Sequence, residues 1–252
     1  MPKNKLKPQI ADYRSPITPT WCPGCGNYTI NAMLMQALVE LEIAPYEVVL
    51  VYDIGCNGNG ADKIRAYTVK TLHGRPIPVA IGIKLARPDL HVIAIGGDGG
   101  LLWEGVAHLI AAAQRNENIT VLIWDNQIYG LTTGQTAPTT QQGYKTPTYP
   151  EGTPFVPLNP ISLLLGTNAS FIARTYTGDP MHVKDTIKAA ISYDKPGLRV
   201  VDILQNCATY NPTTGYYRER AEYIKQSPKT KEQALKLAND INKTYLGVFW
   251  QA

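Results

Sequence analysis

Three short runs of apolar, mostly β-branched residues in this sequence each end in a polar segment rich in glycine or amide side chains. The runs and the segments that follow them are Val48–Ile54 with Gly55–Gly60, His91–Ile95 with Gly96–Gly100, and Thr120–Trp124 with Asp125–Asn126. Runs of this length and composition predict β-strands. Helix-like segments lie between them, and strands that alternate with helices predict an α/β fold. We therefore expect a mostly parallel sheet with helices on both faces.

The rest of the chain continues this alternation. Further strands are predicted at Ser170–Arg174 and Leu198–Leu204, and helices at Tyr28–Leu41, Leu102–Arg115, His182–Tyr193 and Lys231–Tyr245. Residues 130–160 form a long loop without periodicity, and such loops in compact domains are usually functional or disordered. We predict a single domain over residues 1–252. Residues 1–20 would form an extended arm, and residues 205–252 a C-terminal extension that closes the metal site and an interface.

The charge balance and hydropathy exclude several classes of protein. The chain has 24 basic and 20 acidic residues spread along its length, for a net charge of +4, which gives no support to nucleic-acid binding. No apolar run approaches the roughly 18 residues that a membrane span needs. The N-terminus lacks the apolar core of a secretory signal. We therefore expect a cytoplasmic protein, in which thiols stay reduced.

The glycine-rich segments predict a site for a phosphorylated cofactor. Ligands of parallel α/β sheets bind beyond the carboxyl ends of the strands, where glycine lets backbone amides approach a phosphate closely. Asp98 and Asn126 would place two oxygen ligands there, which suits Mg²⁺ bound to a diphosphate. A Gly-Asp-Gly alone is typical of a turn. Here a strand precedes it and a later Asn closes the next strand, as in the signature of thiamine diphosphate enzymes.

The cysteines Cys22, Cys25, Cys56 and Cys207 are candidates for a metal site. Cys22 and Cys25 bracket a Pro-Gly turn, and Cys56 and Cys207 each follow a predicted strand. Four thiolates suit a zinc ion or a cubane cluster, and cysteines packed as small hydrophobic residues are the alternative. The chain has one Cys-x-x-Cys pair and two distant single cysteines, unlike the usual structural zinc site. The position of Cys56 in the predicted diphosphate loop favours a redox cluster.

Together these motifs resemble the β subunits of 2-oxoacid:ferredoxin oxidoreductases. The resemblance covers most of the chain and keeps the order of the family's motifs. They are Trp-Cys-Pro-Gly-Cys-Gly at 21–26, Ile-Gly-Cys at 54–56, His-Gly-Arg at 73–75, Gly-Asp-Gly-Gly at 97–100, Asp-Asn-Gln-Ile-Tyr-Gly-Leu-Thr at 125–132, and Asn-Cys-Ala-Thr-Tyr-Asn at 206–211.

The resemblance implies roles for individual residues. Cys22, Cys25, Cys56 and Cys207 would hold one [4Fe–4S] cluster, and Asp98, Asn126 and the Ile128 carbonyl would bind Mg²⁺. Thiamine diphosphate would contact Ile54, Gly55, Cys56, Asn57, His73, Gly99, Gly100, Gly130 and Leu131. His73 and Asn59 are the catalytic candidates. Many relatives carry a basic residue where this chain has Asn59, so a second substrate carboxylate is less well matched here, and we do not name 2-oxoglutarate as the substrate.

The implied function is that of a β subunit in a coenzyme A-dependent 2-oxoacid:ferredoxin oxidoreductase. Such an enzyme decarboxylates a 2-oxoacid to an acyl-CoA and CO₂ and passes single electrons through the [4Fe–4S] cluster to ferredoxin. The chain would be active only with an α subunit, in a heterodimer or an α₂β₂ assembly. That subunit would supply the glutamate that activates the cofactor and most of the coenzyme A site.

Three other functions would use parts of the same pattern. A non-catalytic iron–sulfur electron-transfer subunit would need the cysteines but would tolerate alanine at Asp98 and Asn126. A non-redox thiamine diphosphate enzyme would use the four cysteines to hold zinc. A nicotinamide dehydrogenase is disfavoured because no Gly-x-Gly-x-x-Gly opens a helix after the first strand.

Overall fold

The computed structural model describes residues 7–252 of the chain. The first six residues of the predicted N-terminal arm lie outside the described residues. The rest of the arm contains one short helix, α1 (Ile10–Tyr13). Tyr13 is fully buried, and its hydroxyl donates a hydrogen bond of 2.6 Å to the Ile43 carbonyl. The described part of the arm is therefore docked on the domain.

A single mixed sheet forms the centre of the molecule. The strands found in the described residues are β1 (Val48–Tyr52), β2 (Tyr67–Lys70), β3 (His91–Gly97), β4 (Thr120–Asp125), β5 (Ile128–Tyr129), β6 (Gln135–Thr136), β7 (Phe171–Tyr176), β8 (Arg199–Leu204), β9 (Ala221–Tyr223) and β10 (Thr244–Gln251). Eight of them pair in the order β2-β1-β3-β4-β8-β7-β10-β9, and β5 pairs with β6. All neighbours in the large sheet are parallel except β7 and β10. The predicted fold class is confirmed.

Helices cover both faces of this sheet. They are α2 (Gly26–Glu40), α3 (Pro76–Ala86), α4 (Val106–Arg115), α5 (Pro160–Leu165), α6 (Pro180–Ile191), α7 (Thr214–Arg220) and α8 (Lys231–Ala238). Short 3₁₀ helices occupy Pro45–Glu47 and Asn57–Gly60, and a π-helical turn occupies Gly100–Glu104. Within the part of the chain that the structure describes, no helix has the length and apolarity that crossing a bilayer requires.

Strand β1 shows why the central strands are continuous apolar runs in the sequence. Val49 and Val51 join a core cluster with residues of α3, α4, α5 and α8. Val48, Leu50 and Tyr52 point to the opposite face and join a second cluster with residues of α2 and α6. Because successive side chains of a strand point to opposite faces, a strand buried on both sides needs apolar residues at every position.

The structure differs from the sequence prediction mainly near the C-terminus. The predicted helix at Lys231–Tyr245 is wrong beyond Ala238, where α8 ends. Thr244–Gln251 instead forms β10, which lies between β7 and β9. The alternation typical of a strand is broken in β10 by Gly247, at φ +126°, and by a register shift between Val248 and Trp250. The predicted C-terminal extension therefore adds two strands to the same sheet.

Candidate functional site

A cavity of about 600 Å³, counting its open mouth, lies at the carboxyl ends of β1, β3 and β4. Each of these strands ends in one of the glycine-rich or amide-rich segments that the sequence analysis singled out. The candidate residues that line the cavity are Ile54, Gly55, Cys56, Asn57, His73, Asp98, Gly99, Gly100, Asn126, Ile128, Gly130 and Leu131. The structure thus brings the predicted diphosphate and magnesium residues together around one space.

The backbone at Gly99 and Gly100 forms one wall of this cavity and leaves no room for side chains. A Cβ on Gly99 would collide with the ring of Tyr129, and a Cβ on Gly100 would collide with Asp53 Oδ2. The chain enters the π-helical turn at this point, and the first amides of a helical turn have no partner within the helix. This arrangement fits a bound diphosphate, because such amides stabilise anions.

Asp98 provides a buried carboxylate at the base of the cavity. Its side chain is 2% exposed, and Thr139 Oγ1 lies 2.6 Å from Asp98 Oδ2. Burial raises the pKa of Asp98 to about 7, while the hydrogen bond from Thr139 opposes the rise. A bound divalent cation would favour the ionised carboxylate. The Asp98 carboxylate, the Asn126 amide and the Ile128 carbonyl would offer oxygen donors of the kind that Mg²⁺ prefers.

The loop that follows β4 is folded tightly around Asn126. Asn126 Oδ1 accepts a hydrogen bond of 3.1 Å from the Ile128 amide, and Gln127 adopts a left-handed conformation at φ +61°. On its other side, the Asn126 carbonyl accepts a 3.0 Å hydrogen bond from Asn211 Nδ2. The loop is therefore held in one conformation from both sides.

The two catalytic candidates occupy different places. His73 lies at the cavity wall with its side chain 59% exposed, and its Nδ1 is 2.8 Å from Glu104 Oε2. Tyr129 donates a hydrogen bond of 3.1 Å to the other carboxylate oxygen of Glu104. Asn59 does not line the cavity: it lies in a neighbouring depression that also contains Lys63 and Lys70.

The cysteine segments approach one another beside the cavity. Cβ of an alanine at position 130 would lie 3.5 Å from Cys56 Sγ and 3.6 Å from Cys207 Sγ, so Gly130 lies beside both thiols. The Cys22–Cys25 turn joins the Cys207 segment through a 3.0 Å hydrogen bond from the Gly26 amide to the Asn206 carbonyl. The cysteines form no disulfide.

The electrostatics of these thiols are consistent with their proximity. Burial raises the pKa of Cys25 to about 11 and that of Cys56 to about 12, and repulsion from the other cysteines adds to both shifts. The free thiolates are therefore unfavourable here, whereas a cationic metal centre would stabilise them. Such a site suits metal ligation better than thiol reactivity.

Within residues 7–252, no group of three or more His, Cys, Asp or Glu side chains is arranged to hold a single metal ion. Around one zinc at about 2.3 Å, four sulfurs would lie within about 4 Å of one another. A cubane cluster binds each thiolate through a different iron, so its ligands stand further apart. The two kinds of centre therefore differ in the spacing of the sulfurs that they need.

Several residues of the site were not predicted from the sequence. Gly97, Trp124, Tyr129, Thr132 and Gln205 also line the cavity. Gln205 is 2% exposed, and its Oε1 has no hydrogen-bond partner. Tyr129 and Thr132 belong to the 125–132 motif and Gln205 directly follows a predicted strand, so position alone could have suggested these three.

Comparison with known proteins defines the class of this domain. Residues 53–203 match the family described as "Thiamine pyrophosphate enzyme, C-terminal TPP binding domain". The matched region runs from the end of β1 to β8 and contains all the lining segments except the one around Gln205. The chain therefore contains a thiamine diphosphate-binding domain.

Comparison with individual proteins identifies the family within this class. The "2-oxoacid:ferredoxin oxidoreductase subunit beta" of Saccharolobus solfataricus is 42% identical over 249 residues, which cover 92% of this chain and 81% of the relative. The "2-oxoglutarate synthase subunit KorB" of Methanocaldococcus jannaschii is 36% identical, over 81% of this chain and 75% of the relative.

A solved structure agrees with these relatives. It is the 2-oxoglutarate:ferredoxin oxidoreductase from Magnetococcus marinus with 2-oxoglutarate, coenzyme A and succinyl-CoA bound. It matches with a TM-score of 0.94 at 33% identity, over 99% of this chain and 87% of that chain. The present chain belongs to the family of 2-oxoacid:ferredoxin oxidoreductase β subunits.

Proposed function

We propose that this chain is the β subunit of a cytoplasmic, coenzyme A-dependent oxidoreductase that converts a 2-oxoacid to an acyl-CoA and CO₂ and reduces ferredoxin. The observation that carries the proposal is the position of Gly130. Its backbone lines the cavity and at the same time lies beside the thiols of Cys56 and Cys207. A thiamine cofactor and a four-cysteine cluster would thus be separated by little more than one loop.

The residues of this chain would hold two groups. Gly99, Gly100 and the Ile54–Asn57 segment would contact the diphosphate, and Asp98, Asn126 and the Ile128 carbonyl would bind Mg²⁺. Cys22, Cys25, Cys56 and Cys207 would hold the [4Fe–4S] cluster. When bound, thiamine diphosphate supplies the electron sink for loss of CO₂, and the cluster supplies a one-electron acceptor.

The role of the chain's side chains is then to bind, orient and exclude water. His73 would contact the cofactor, and its pairing with Glu104 holds the imidazole against the wall. We propose no catalytic role for Asn59, because it lies in the adjoining depression and does not line the cavity.

The mouth of the cavity supports the need for a partner. Leu131, which lines the cavity, is 50% exposed. Trp103 is 44% exposed, and its ring centroid lies 6.5 Å from that of Tyr129, another lining residue. The ring of Phe155, 41% exposed, packs edge to face against Trp103 at 6.3 Å, so the two rings form an exposed apolar rim beside the cavity. A rim of this kind favours association with another apolar surface. We propose that an α subunit covers it and completes the cofactor site.

Anaerobic co-purification with the α subunit tests the proposal. Iron, sulfide, zinc, magnesium and thiamine contents would be measured, together with the paramagnetic resonance spectrum after reduction. Coenzyme A-dependent reduction of ferredoxin would then be assayed with a panel of 2-oxoacids. The proposal expects about one four-iron cluster for each chain and turnover only in the complex.

Three results would contradict the proposal in different ways. Zinc in place of iron would point to a non-redox thiamine enzyme. Alanine variants at Asp98 and Asn126 that keep full activity would point to an electron-transfer subunit. Full turnover by the isolated chain would remove the α subunit from the mechanism.

A further inference from the structure

The hydroxyl of Thr139 connects two buried carboxyl groups at the base of the cavity. Its Oγ1 lies 2.6 Å from Asp98 Oδ2 and 2.8 Å from Asp125 Oδ1. All three residues are at most 3% exposed. Asp98 lies at the end of β3 and Asp125 at the end of β4, so Thr139 spans the ends of two adjacent strands.

Thr139 is contributed by the long irregular loop between Gly130 and Pro160. The next residue, Thr140, donates a 2.6 Å hydrogen bond to the Gln127 carbonyl and accepts one of 2.8 Å from the Ala137 amide. Two successive threonines thus fasten the loop to the Asp98 side and to the Asn126 side of the proposed metal site. The loop has little regular structure, but these contacts fix its position.

We propose that Thr139 is a positioning residue that orients the Asp98 carboxylate for Mg²⁺, so that metal binding and the docking of the 137–140 segment are coupled. This inference rests on the proposed function, in which Asp98 binds the metal. Thr139 contacts Oδ2 of Asp98 and thereby restricts the rotation of the carboxyl group. Without the hydroxyl, the carboxylate could rotate before the metal binds, and the cost of fixing it would then weaken metal binding.

The expected size of the effect follows from comparable metal sites. Residues that hydrogen-bond to metal ligands without touching the metal typically change metal affinity by about 10–100-fold when they are removed. A purely structural threonine would change stability but not the affinity of the folded protein for metal. Metal affinity therefore separates the two roles.

The test uses Mn²⁺ as a paramagnetic substitute for Mg²⁺, titrated in the presence of thiamine diphosphate into the full chain co-purified with its partner. Thr139→Val keeps the shape but removes the hydroxyl, and we expect it to weaken Mn²⁺ binding by about 10-fold or more. Thr139→Ser keeps a hydroxyl and should bind within about 3-fold of the wild type. If Thr139→Val does not fold, Thr139→Ala compared with Thr139→Ser isolates the hydroxyl in the same way.

Thr136→Val is the matched control. Thr136 is 3% exposed in the same loop, and its hydroxyl contacts Thr146 and Thr153 instead of a carboxyl group. It should keep Mn²⁺ affinity within about 2-fold, well below the effect of losing a metal-orienting contact. Hydrogen exchange of the 137–140 amides gives a second measurement: Mn²⁺ should slow it in the wild type and much less in Thr139→Val.

Asp98→Asn separates failure of this inference from failure of the proposed function. If Asp98→Asn binds Mn²⁺ as the wild type does, Asp98 is not a metal ligand and the proposed site is wrong. If Asp98→Asn loses binding while the Thr139 variants without a hydroxyl keep wild-type affinity, the positioning role is wrong and the metal site stands.

Discussion

The side chain of Asn211 donates a 3.0 Å hydrogen bond to the backbone carbonyl of Asn126. The backbone amide of Asn211 donates a hydrogen bond of 3.0 Å to the carbonyl of Cys207. One residue, 6% exposed, therefore connects a proposed magnesium ligand to a proposed cluster ligand. The cofactor cavity and the cysteine site are thus connected through Asn211.

Replacing Asn211 with Ala removes the side-chain bond to the Asn126 carbonyl and keeps the backbone bond to Cys207, so an effect on the cysteine site would be transmitted through the backbone of residue 211. The Asn126 carbonyl would lose a buried hydrogen-bond donor, at a cost of about 1–3 kcal/mol of unfolding free energy. We expect weaker thiamine diphosphate binding and a lower iron content in the same variant, measured by calorimetry and elemental analysis. Asn168→Ala is the control, because Asn168 is exposed and bonds to the Gln114 carbonyl away from the site. Loss of cofactor with full iron content would show that the centres are independent.

The central part of the fold could be predicted because its sequence signals are local. β1, β3 and β4 are continuous apolar runs next to glycine or polar residues, and the structure places their ends within two residues of the predicted positions. β2 was missed, since it is an edge strand and mostly exposed. Its sequence carries neither a buried run nor a strict alternation.

Apart from His73 and Leu131, which came from the family resemblance, the site could be predicted where it follows directly from a strand. Gly99, Gly100 and Asn126 were identified because each lies just beyond a predicted strand end, and these ends meet at one edge of the sheet. Thr139 stands 41 residues from Asp98 in a loop without periodicity, so no spacing in the sequence joins them. The path of an irregular loop depends on tertiary contacts that a sequence pattern does not encode.

Gly130→Ala should separate folding from cluster binding. The new Cβ would contact Cys56 Sγ and Cys207 Sγ at 3.5 and 3.6 Å, which is ordinary van der Waals distance. The chain should therefore fold with little loss of stability when prepared without iron. The methyl group would occupy space beside both thiols, so we expect less iron per chain and a weaker visible absorption of the cluster.

Gly82→Ala is the control for this substitution. Gly82 is exposed in α3, and a Cβ there meets no atom within 4 Å. Alanine in the middle of a helix should stabilise the protein by about 0.5–1 kcal/mol. Iron content should be unchanged. A Gly130→Ala variant with a full complement of iron would argue against a cluster between Cys56 and Cys207.

Asp53 should make the free energy of unfolding fall as pH rises, the opposite of the usual effect of a carboxyl group. The residue is fully buried, its Oδ1 accepts a 3.0 Å hydrogen bond from the Gly74 amide, and its Oδ2 has no partner. Burial raises the pKa of Asp53 to about 6; nearby Glu104 adds to the rise and His73 opposes it. Between about pH 4 and 6 the native state holds a proton that the unfolded chain has lost. The contribution of Asp53 to stability therefore falls as pH rises through this window.

Asp53→Asn removes that titration. Melting temperatures of the variant and the wild type would be compared from pH 4.5 to 7.5. The melting temperature of the variant should rise relative to that of the wild type up to about pH 6, and above that the two curves should be parallel. An effect of the substitution that does not depend on pH would shift the melting temperature equally at every pH and leave the shape of the curve unchanged. Asp89→Asn is the control and should run nearly parallel to the wild type over this range, because Arg87 lowers the pKa of Asp89 below its usual value and the residue is ionised in both the native and the unfolded state. Parallel curves for Asp53→Asn over the whole range would refute the prediction.

The buried ion pair between Arg174 and Asp202 should be costly to break on one side only. Arg174 Nε lies 2.8 Å from Asp202 Oδ2, and the two side chains are 9% and 0% exposed. Asp202→Leu leaves a buried guanidinium without its partner and should cost about 3–5 kcal/mol in denaturant unfolding. Glu222→Gln, which breaks the exposed pair with Lys243, should cost less than about 1 kcal/mol.

The double variant Arg174→Met, Asp202→Leu decides how that cost arises. If desolvation of an unpaired charge dominates, removing the second charge should restore much of the stability that Asp202→Leu loses, because an apolar pair of similar volume needs no partner. Arg174 also donates a 3.1 Å hydrogen bond to Asn159 Oδ1, the residue that caps α5, so recovery should be incomplete. If the cost of the double variant equals the sum of the costs of the two single variants, the two charges act independently, and this prediction is contradicted.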